Sequence, residues 1–162
     1  MTKYEEDVFR LCKDNNITVF RKRNDFGADI THKAIWINKD IRSIRTYSTA
    51  LHEISHVINE NPIWPQVQGK WQWFNKRNQE FVTDHVLNSE FDAWTTAKRI
   101  AKWWDLSADR NAISSLFSYI IGYNQFHKCP WSGIPNEDIK WYLPIILKDD
   151  GLIELCAREM YG

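Results

Sequence analysis

Two histidines and a glutamate in the middle of the chain have the spacing of a metal site. His52, Glu53 and His56 form an H-E-x-x-H motif within residues 50–60. On an α-helix, side chains at positions i and i+4 lie on one face, so both imidazoles point in the same direction. This spacing suits two nitrogen ligands of one zinc ion, with the glutamate placed to act on metal-bound water.

The residues around the motif predict the helix that this spacing requires. Apolar side chains recur every three or four residues and form one stripe, made of Ile44, Tyr47, Leu51, Ile54 and Ile58. Ser43 or Thr46 is placed to cap the start of the helix, and Asn61-Pro62 to end it. The alternative is a chance match to the motif, which would not need to fall on an amphipathic helix.

The composition limits the class of protein. The 162 residues suffice for one domain with a sizeable core. Lys+Arg and Asp+Glu number 21 each, which argues against a surface that coats nucleic acid. No apolar run approaches the roughly 20 residues of a membrane span, and the first residues do not form a secretory signal. Three scattered cysteines indicate a reducing compartment, so we expect a cytoplasmic protein.

The N-terminal third predicts a small sheet next to the motif helix. A capping box and an apolar stripe predict a helix over residues 3–14, and an alternating β-branched run predicts a strand over 17–22. Residues 28–32 and 34–38 are expected to form a hairpin that turns at His32-Lys33. The expected fold is therefore α+β, with a small antiparallel sheet packed on the motif helix and a mostly helical C-terminal part.

The rest of the chain is expected to be a long loop followed by helices. Residues 61–75 lack a helical period and contain three tryptophans that are candidates for partner contact, Trp64, Trp71 and Trp73. Ser89 and Asp92 have the spacing of a second capping box. The predicted helices cover about 76–87, 89–105, 107–123, 136–143 and 150–160. We expect a single domain over 1–162, with a core of about 15–105 and an extension over 106–162.

A catalytic zinc ion takes three protein ligands and leaves one position for water. Four acidic residues after the motif are candidates for the third ligand, namely Glu80, Asp84, Glu90 and Asp92. The first two are spaced one helical turn apart, which suits a ligand and a carboxylate that supports a histidine. Glu90 begins its own helix, and helix position alone leaves the choice open. Glu60 is excluded because it lies on the motif helix itself.

The chain resembles the ImmA/IrrE-type metallopeptidases over about residues 15–105. That family carries H-E-x-x-H on one helix and an E-x-x-A-x-x-F-A-like stretch on a later one, which Glu90, Ala93 and Ala97 match. Thr96 replaces the usual aromatic residue, and Ser55 stands where the family often has glycine. The proline that often follows the second motif is missing.

The resemblance implies a zincin-like fold and assigns the site residues. Glu90 is the third zinc ligand, and Glu53 takes a proton from the zinc-bound water and later passes it to the leaving amine. Asp92 or Asp84 accepts a hydrogen bond from a ligand histidine, although a capping role suits Asp92 equally well. Glu80 is the alternative ligand.

We therefore expect a zinc-dependent endopeptidase that cuts one specific protein. In peptidases of this layout the strand before the motif helix commonly lies along the cleft. Residues 34–38, with Ile35, Trp36 and Ile37, are then expected to bind an extended substrate by strand addition. The resemblance implies a substrate such as a helix-turn-helix repressor, in a phage, mobile-element or stress-response setting.

Two other functions are compatible with the sequence. The first is a non-proteolytic interaction protein that keeps the scaffold and blocks a host factor, but such a module would not need Glu53. The second is a nucleic-acid module formed by residues 94–104, which the zero net charge disfavours. The remaining polar candidates, expected to be exposed or structural, are His32, His85, His127 and Cys129.

Overall fold

The structure, a computed structural model, describes residues 1–22, 25–37, 40–60, 73–75, 80–82 and 84–126, and the side chains of 1–22, 25–37, 40–60 and 89–116. The elements in this part of the chain are α1 Lys3–Asp14, β1 Thr18–Arg21, β2 Gly27–Asp29, β3 Ala34–Ile37, α2 Ile44–Asn59, β4 Trp73–Asn75, β5 Glu80–Val82, α3 Asp84–Ile100 and α4 Leu106–Phe126. The expected α+β class is confirmed. None of these helices is long and apolar enough to cross a membrane.

The chain divides into two compact units. The first comprises Met1–Pro62 and Asp92–Ala112, and the second comprises Ile63–Phe91 and Ile113–Gly162. One boundary falls inside α3 and another inside α4, so each of these helices contributes residues to both units. The first unit holds α1, α2 and strands β1 to β3, and the second holds the hairpin of β4 and β5.

The three-stranded sheet is mixed, and the expectation of a purely antiparallel sheet is wrong. Its strand order is β1-β3-β2, with β3 parallel to β1 and antiparallel to β2. The expected hairpin of β2 and β3 is confirmed, and its turn ends at Lys33 with a φ of 48°. The apolar strand β3 takes the centre because Ile35 and Ile37 are fully buried, whereas β1 has three exposed residues and suits an edge.

Helix α2 forms where the apolar stripe and the cap predict it. The backbone N–H of Thr46 donates to the Ser43 hydroxyl at 3.2 Å, and the Ser43 N–H donates to the Thr46 hydroxyl at 3.3 Å. Such a cap stabilises a helix by about 1 kcal/mol. Tyr47, Leu51 and Ile54 are fully buried on the predicted stripe. The helix fixes the direction in which the two motif histidines point.

The phenol of Tyr47 joins three segments of the first unit. Its hydroxyl donates to the buried carboxylate of Asp7 on α1. The backbone N–H groups of Lys102 and Trp103, which follow α3, donate to the hydroxyl oxygen of Tyr47 at 3.1 and 3.5 Å. Burial, followed by the hydrogen bond to Asp7, raises the pKa of Tyr47 well above its usual value.

Replacing Tyr47 should therefore destabilise the protein. Tyr47→Phe keeps the ring but leaves the Asp7 carboxylate and two backbone donors without this partner. Buried polar groups that lose a partner cost about 1–3 kcal/mol, so the free energy of unfolding in urea should fall by that amount. Tyr4→Phe, at a half-buried ring 5.1 Å away, is the matched control. An unchanged unfolding midpoint in Tyr47→Phe would show that the network does not stabilise the fold.

The segment before α3 differs from the expected loop and helix. Residues 73–75, expected in a loop, lie in a strand that pairs with residues 80–82. The predicted helix over 76–87 is therefore wrong at residues 80–82, which form the second strand. Phe81 and Val82 favour a strand, and the paired neighbour overrides the local helical propensity. Glu80 and Asp84 therefore do not share a helix face, since Glu80 is on β5 and Asp84 begins α3.

Helix α3 starts earlier and ends earlier than predicted. It runs through Ser89 and Asp92 without interruption, so these two residues are not a cap, and it ends at Ile100 rather than near 105. An N-cap residue starts a helix only where its own backbone is non-helical, and here the helix already begins at Asp84. The helix predicted over 107–123 is confirmed as α4. Residues 61–72 of the loop expected over 61–75, and the helices expected at 136–143 and 150–160, lie outside the described residues.

Candidate metal centre

The two histidines of the motif face each other inside the protein. Only 6% of His52 and 4% of His56 is exposed, and their Nε2 atoms are 3.1 Å apart. The rings meet edge to face, with centroids 4.5 Å apart and planes at 76°. Nitrogen ligands of one tetrahedral zinc ion, each bound at 2.0–2.1 Å, would be roughly 3.3 Å apart. The observed spacing thus suits a shared ion.

A carboxylate from α3 completes the group. Glu90 is 4% exposed, and one ligand atom from each of His52, His56 and Glu90 lies within 4.8 Å of the others. Two imidazoles and one carboxylate are among the ligand sets of catalytic zinc, and they leave a fourth position for water. Burying a carboxylate beside two imidazoles is costly unless an opposite charge compensates, and a divalent cation supplies that charge. The donor set therefore fits a metal ion.

One hydrogen bond joins α3 to α2, and two small residues beside it on α3 are fully buried. Ala93 and Ala97, the two alanines that match the second motif of the resemblance, are fully buried. The hydroxyl of Thr96, which is 7% exposed, donates to the side-chain oxygen of Asn59 at 3.0 Å. Thr96 stands at the position where the resemblance expects an aromatic residue, and here it links the two helices.

Among the four acidic candidates, Glu90 is the one found with the histidines in the part of the chain with described side chains. Asp92 is exposed and lies outside the group, so it is not a ligand here, and its expected hydrogen bond to a ligand histidine stays a prediction. The side chains of Glu80 and Asp84 are outside the described set. For the third metal ligand, the structure thus favours Glu90 over Asp92.

Comparison of the chain with protein-family models, with curated proteins and with solved structures gave no significant match. We therefore infer function from the residues of the site.

Glu53 adjoins the metal-ligand group without belonging to it. It follows His52 on α2, is turned about 100° around the helix from it, and is half-buried. A group that exchanges protons with water must be within its reach, and Glu53 is not fully buried.

The expected substrate strand is not available for strand addition. Over 34–36, β3 is paired on one edge with β1 and on the other with β2. Ile35 and Ile37 are fully buried, and the indole of Trp36 occupies the space that a side chain at Gly27 would need. The prediction that Ile35, Trp36 and Ile37 bind substrate is therefore wrong in this form, because a strand apolar enough to be central has no free edge.

Sequence reasoning missed Trp94. Its indole stacks on the imidazole of His52, with ring centroids 4.3 Å apart and planes at 25°. Its apolar spacing with Ala97 and Ala101 predicts only that it lies on the apolar face of its helix. The available signal was its spacing of four residues after Glu90, which puts both side chains on one face of α3.

Three further polar side chains, those of His32, Cys12 and Lys98, lie outside the metal-ligand group. His32 is exposed and its backbone N–H and ring contact the Asp29 carboxylate, which lowers the pKa of Asp29. Burial raises the pKa of the Cys12 thiol to about 12, so it is a poor nucleophile. Lys98 pairs with Asp109 at 3.1 Å. The side chains of His85, His127 and Cys129, and those of Trp64, Trp71 and Trp73, lie outside the described set.

Proposed function

We propose that the protein is a zinc-dependent endopeptidase of the ImmA/IrrE type, with His52, His56 and Glu90 as zinc ligands. The observation that carries the proposal is the buried convergence of two imidazoles and one carboxylate within 4.8 Å. The H-E-x-x-H spacing supports it, because a metal site needs the two histidines but not the glutamate between them. That glutamate suits a hydrolytic function.

Glu53 is the general base and acid of the proposed reaction. When bound, zinc lowers the pKa of a coordinated water towards about 7 and polarises the carbonyl of the scissile peptide bond. The Glu53 carboxylate takes the proton of the attacking water and later gives it to the leaving amine. Both transfers need access to water and substrate, and Glu53 is half-buried rather than fully enclosed.

The proposed substrate is an extended segment of one protein. Of the two edge strands, β2 is the one that packs against α2, the helix that bears His52 and His56. An extended chain that pairs with Gly27–Asp29 would use backbone hydrogen bonds for affinity and side-chain pockets for selectivity. Following the resemblance, we propose a cytoplasmic regulatory protein such as a helix-turn-helix repressor, in a phage or mobile-element setting.

Removing the proposed third ligand should raise the zinc concentration that cleavage requires. Changes around a metal ligand typically cost about 10–100-fold in affinity, so Glu90→Ala, which removes a direct ligand, should cost at least about 100-fold. Chelated protein is titrated with zinc in a lysate of cells that encode it. New amino termini are then counted by mass spectrometry at each zinc concentration.

Glu80→Ala is the matched control, because Glu80 was the competing candidate and lies on β5. A larger loss in Glu80→Ala than in Glu90→Ala would move the third ligand to Glu80. If zinc-loaded protein binds a lysate protein but generates no new amino termini, the endopeptidase proposal fails. The non-proteolytic interaction protein would then be the better description.

A further inference from the structure

One face of His52 is covered by an aromatic ring that no ligand role explains. The indole of Trp94, 2% exposed, lies nearly parallel to the imidazole at a centroid distance of 4.3 Å. We propose that Trp94 is a positioning residue that fixes the plane of the His52 ring for metal binding. This inference rests on the proposed metal centre but not on proteolysis.

The His52 ring needs such a constraint because one torsion of its side chain is only weakly restricted. Helix α2 fixes the Cα position, but the outer torsion of a histidine has broad minima and lets the ring swing. A swing of the ring moves Nε2, which lies 3.1 Å from Nε2 of His56. A flat contact on the ring face resists this rotation, because turning the imidazole drives its edge into the indole. Trp94 thereby holds the two nitrogens at a spacing suited to one ion.

The contact is made by the face of the indole rather than by its N–H group. The Nε1 of Trp94 is buried and has no hydrogen-bond acceptor among the described residues. An imidazole that coordinates a cation becomes more positive, and the negative face of an indole attracts it. The stack should therefore strengthen when metal binds. An aromatic face, not a polar contact, is what the site requires at this position.

Helix α3 presents the ligand and the stacking ring together. Glu90 and Trp94 are one turn apart on it, as His52 and His56 are one turn apart on α2. Ala93 and Ala97 on the same helix are fully buried, and Thr96 donates to Asn59 of α2 at 3.0 Å. One helix-to-helix packing arrangement thus supplies both the third ligand and the orientation of the first.

The test compares zinc dissociation constants measured by competition with a chromogenic chelator. Trp94→Phe keeps an aromatic face and should bind zinc nearly as tightly as the wild type. Trp94→Leu keeps an apolar side chain without a ring face and should bind about 10–100-fold more weakly, as for other groups that orient metal ligands. Trp103→Leu is the matched control. It makes the same substitution at an indole whose ring centroid lies 4.2 Å from the ammonium nitrogen of Lys3, a residue with no proposed role in metal binding. Equal affinities in Trp94→Phe, Trp94→Leu and Trp103→Leu would overturn the proposal.

A second measurement covers the case in which Trp94→Leu does not fold. Cobalt(II) is added to the wild type and to Trp94→Phe, and tryptophan emission is recorded for both. The wild type should show a quenched component that Trp94→Phe lacks, because Trp94 contacts a ligand ring. Equal quenching would overturn the positioning role. If zinc binds with the predicted ranking and no peptide is cut, the inference stands and the endopeptidase proposal alone fails.

Discussion

Glu53→Gln should nearly abolish cleavage while leaving the bound zinc in place. Glutamine keeps the size of the side chain and much of its hydrogen bonding, but it cannot take a proton from water. Loss of a positioned general base typically lowers a rate by about 10² to 10⁴. Glu53 is outside the group formed by His52, His56 and Glu90, so metal content and folding should be close to those of the wild type. Fragment release and zinc content are measured on the same preparation.

Glu60→Gln is the matched control for this substitution. Glu60 is an exposed residue that ends the same helix with a φ of 52°, so the charge change is identical but the site differs. The Glu60→Gln variant should cut the substrate at the wild-type rate. If Glu53→Gln also cuts at that rate, Glu53 is not the general base, and a bound metal would be structural.

The parts of the fold that follow from the sequence are those set by neighbouring residues. The stripe through Leu51 and Ile54 and the cap at Ser43 predicted α2 to within a residue or two, because both signals act within one or two helical turns. The same holds for α1, whose cap at Thr2 accepts from the Glu5 N–H. The facing histidines follow from the same helical geometry.

The order of the strands did not follow from the sequence. Which strand lies in the centre depends on how much apolar surface each one buries after folding, and β3 takes that place through Ile35 and Ile37. Because β3 is central, it has no free edge over residues 34–36 with which the expected substrate could pair. Strand order depends on which distant segments pair, whereas the alternation and turn residues of a strand act on its neighbours in sequence.

The third ligand shows the same limit within the site. Spacing alone left Glu80, Asp84, Glu90 and Asp92 as candidates, because they lie on elements far along the chain from His56. The packing of α3 on α2 brings Glu90 to the histidines, and the resemblance of its surrounding residues had indicated this choice. The stacking of Trp94 on His52 has the same origin and was not foreseen.

The double variant His52→Ala/His56→Ala should lose the metal altogether. It removes two of the three proposed ligands and leaves one carboxylate, which does not retain zinc against a chelator. In the wild type, free zinc at about 1,000 times its dissociation constant would stabilise the folded state by roughly 4 kcal/mol. Chelation should therefore lower the Tm of the wild type and leave that of the double variant unchanged.

Metal content of the protein purified without added zinc tests the centre most directly. Elemental mass spectrometry of the digested protein should give about one zinc per wild-type chain, as a single three-ligand site requires. His32→Ala, at an exposed histidine in the hairpin turn, should keep that content, and the double variant should give none. A folded wild type that neither contains zinc nor takes it up, or a double variant with the full wild-type content, would contradict a metal centre at His52, His56 and Glu90.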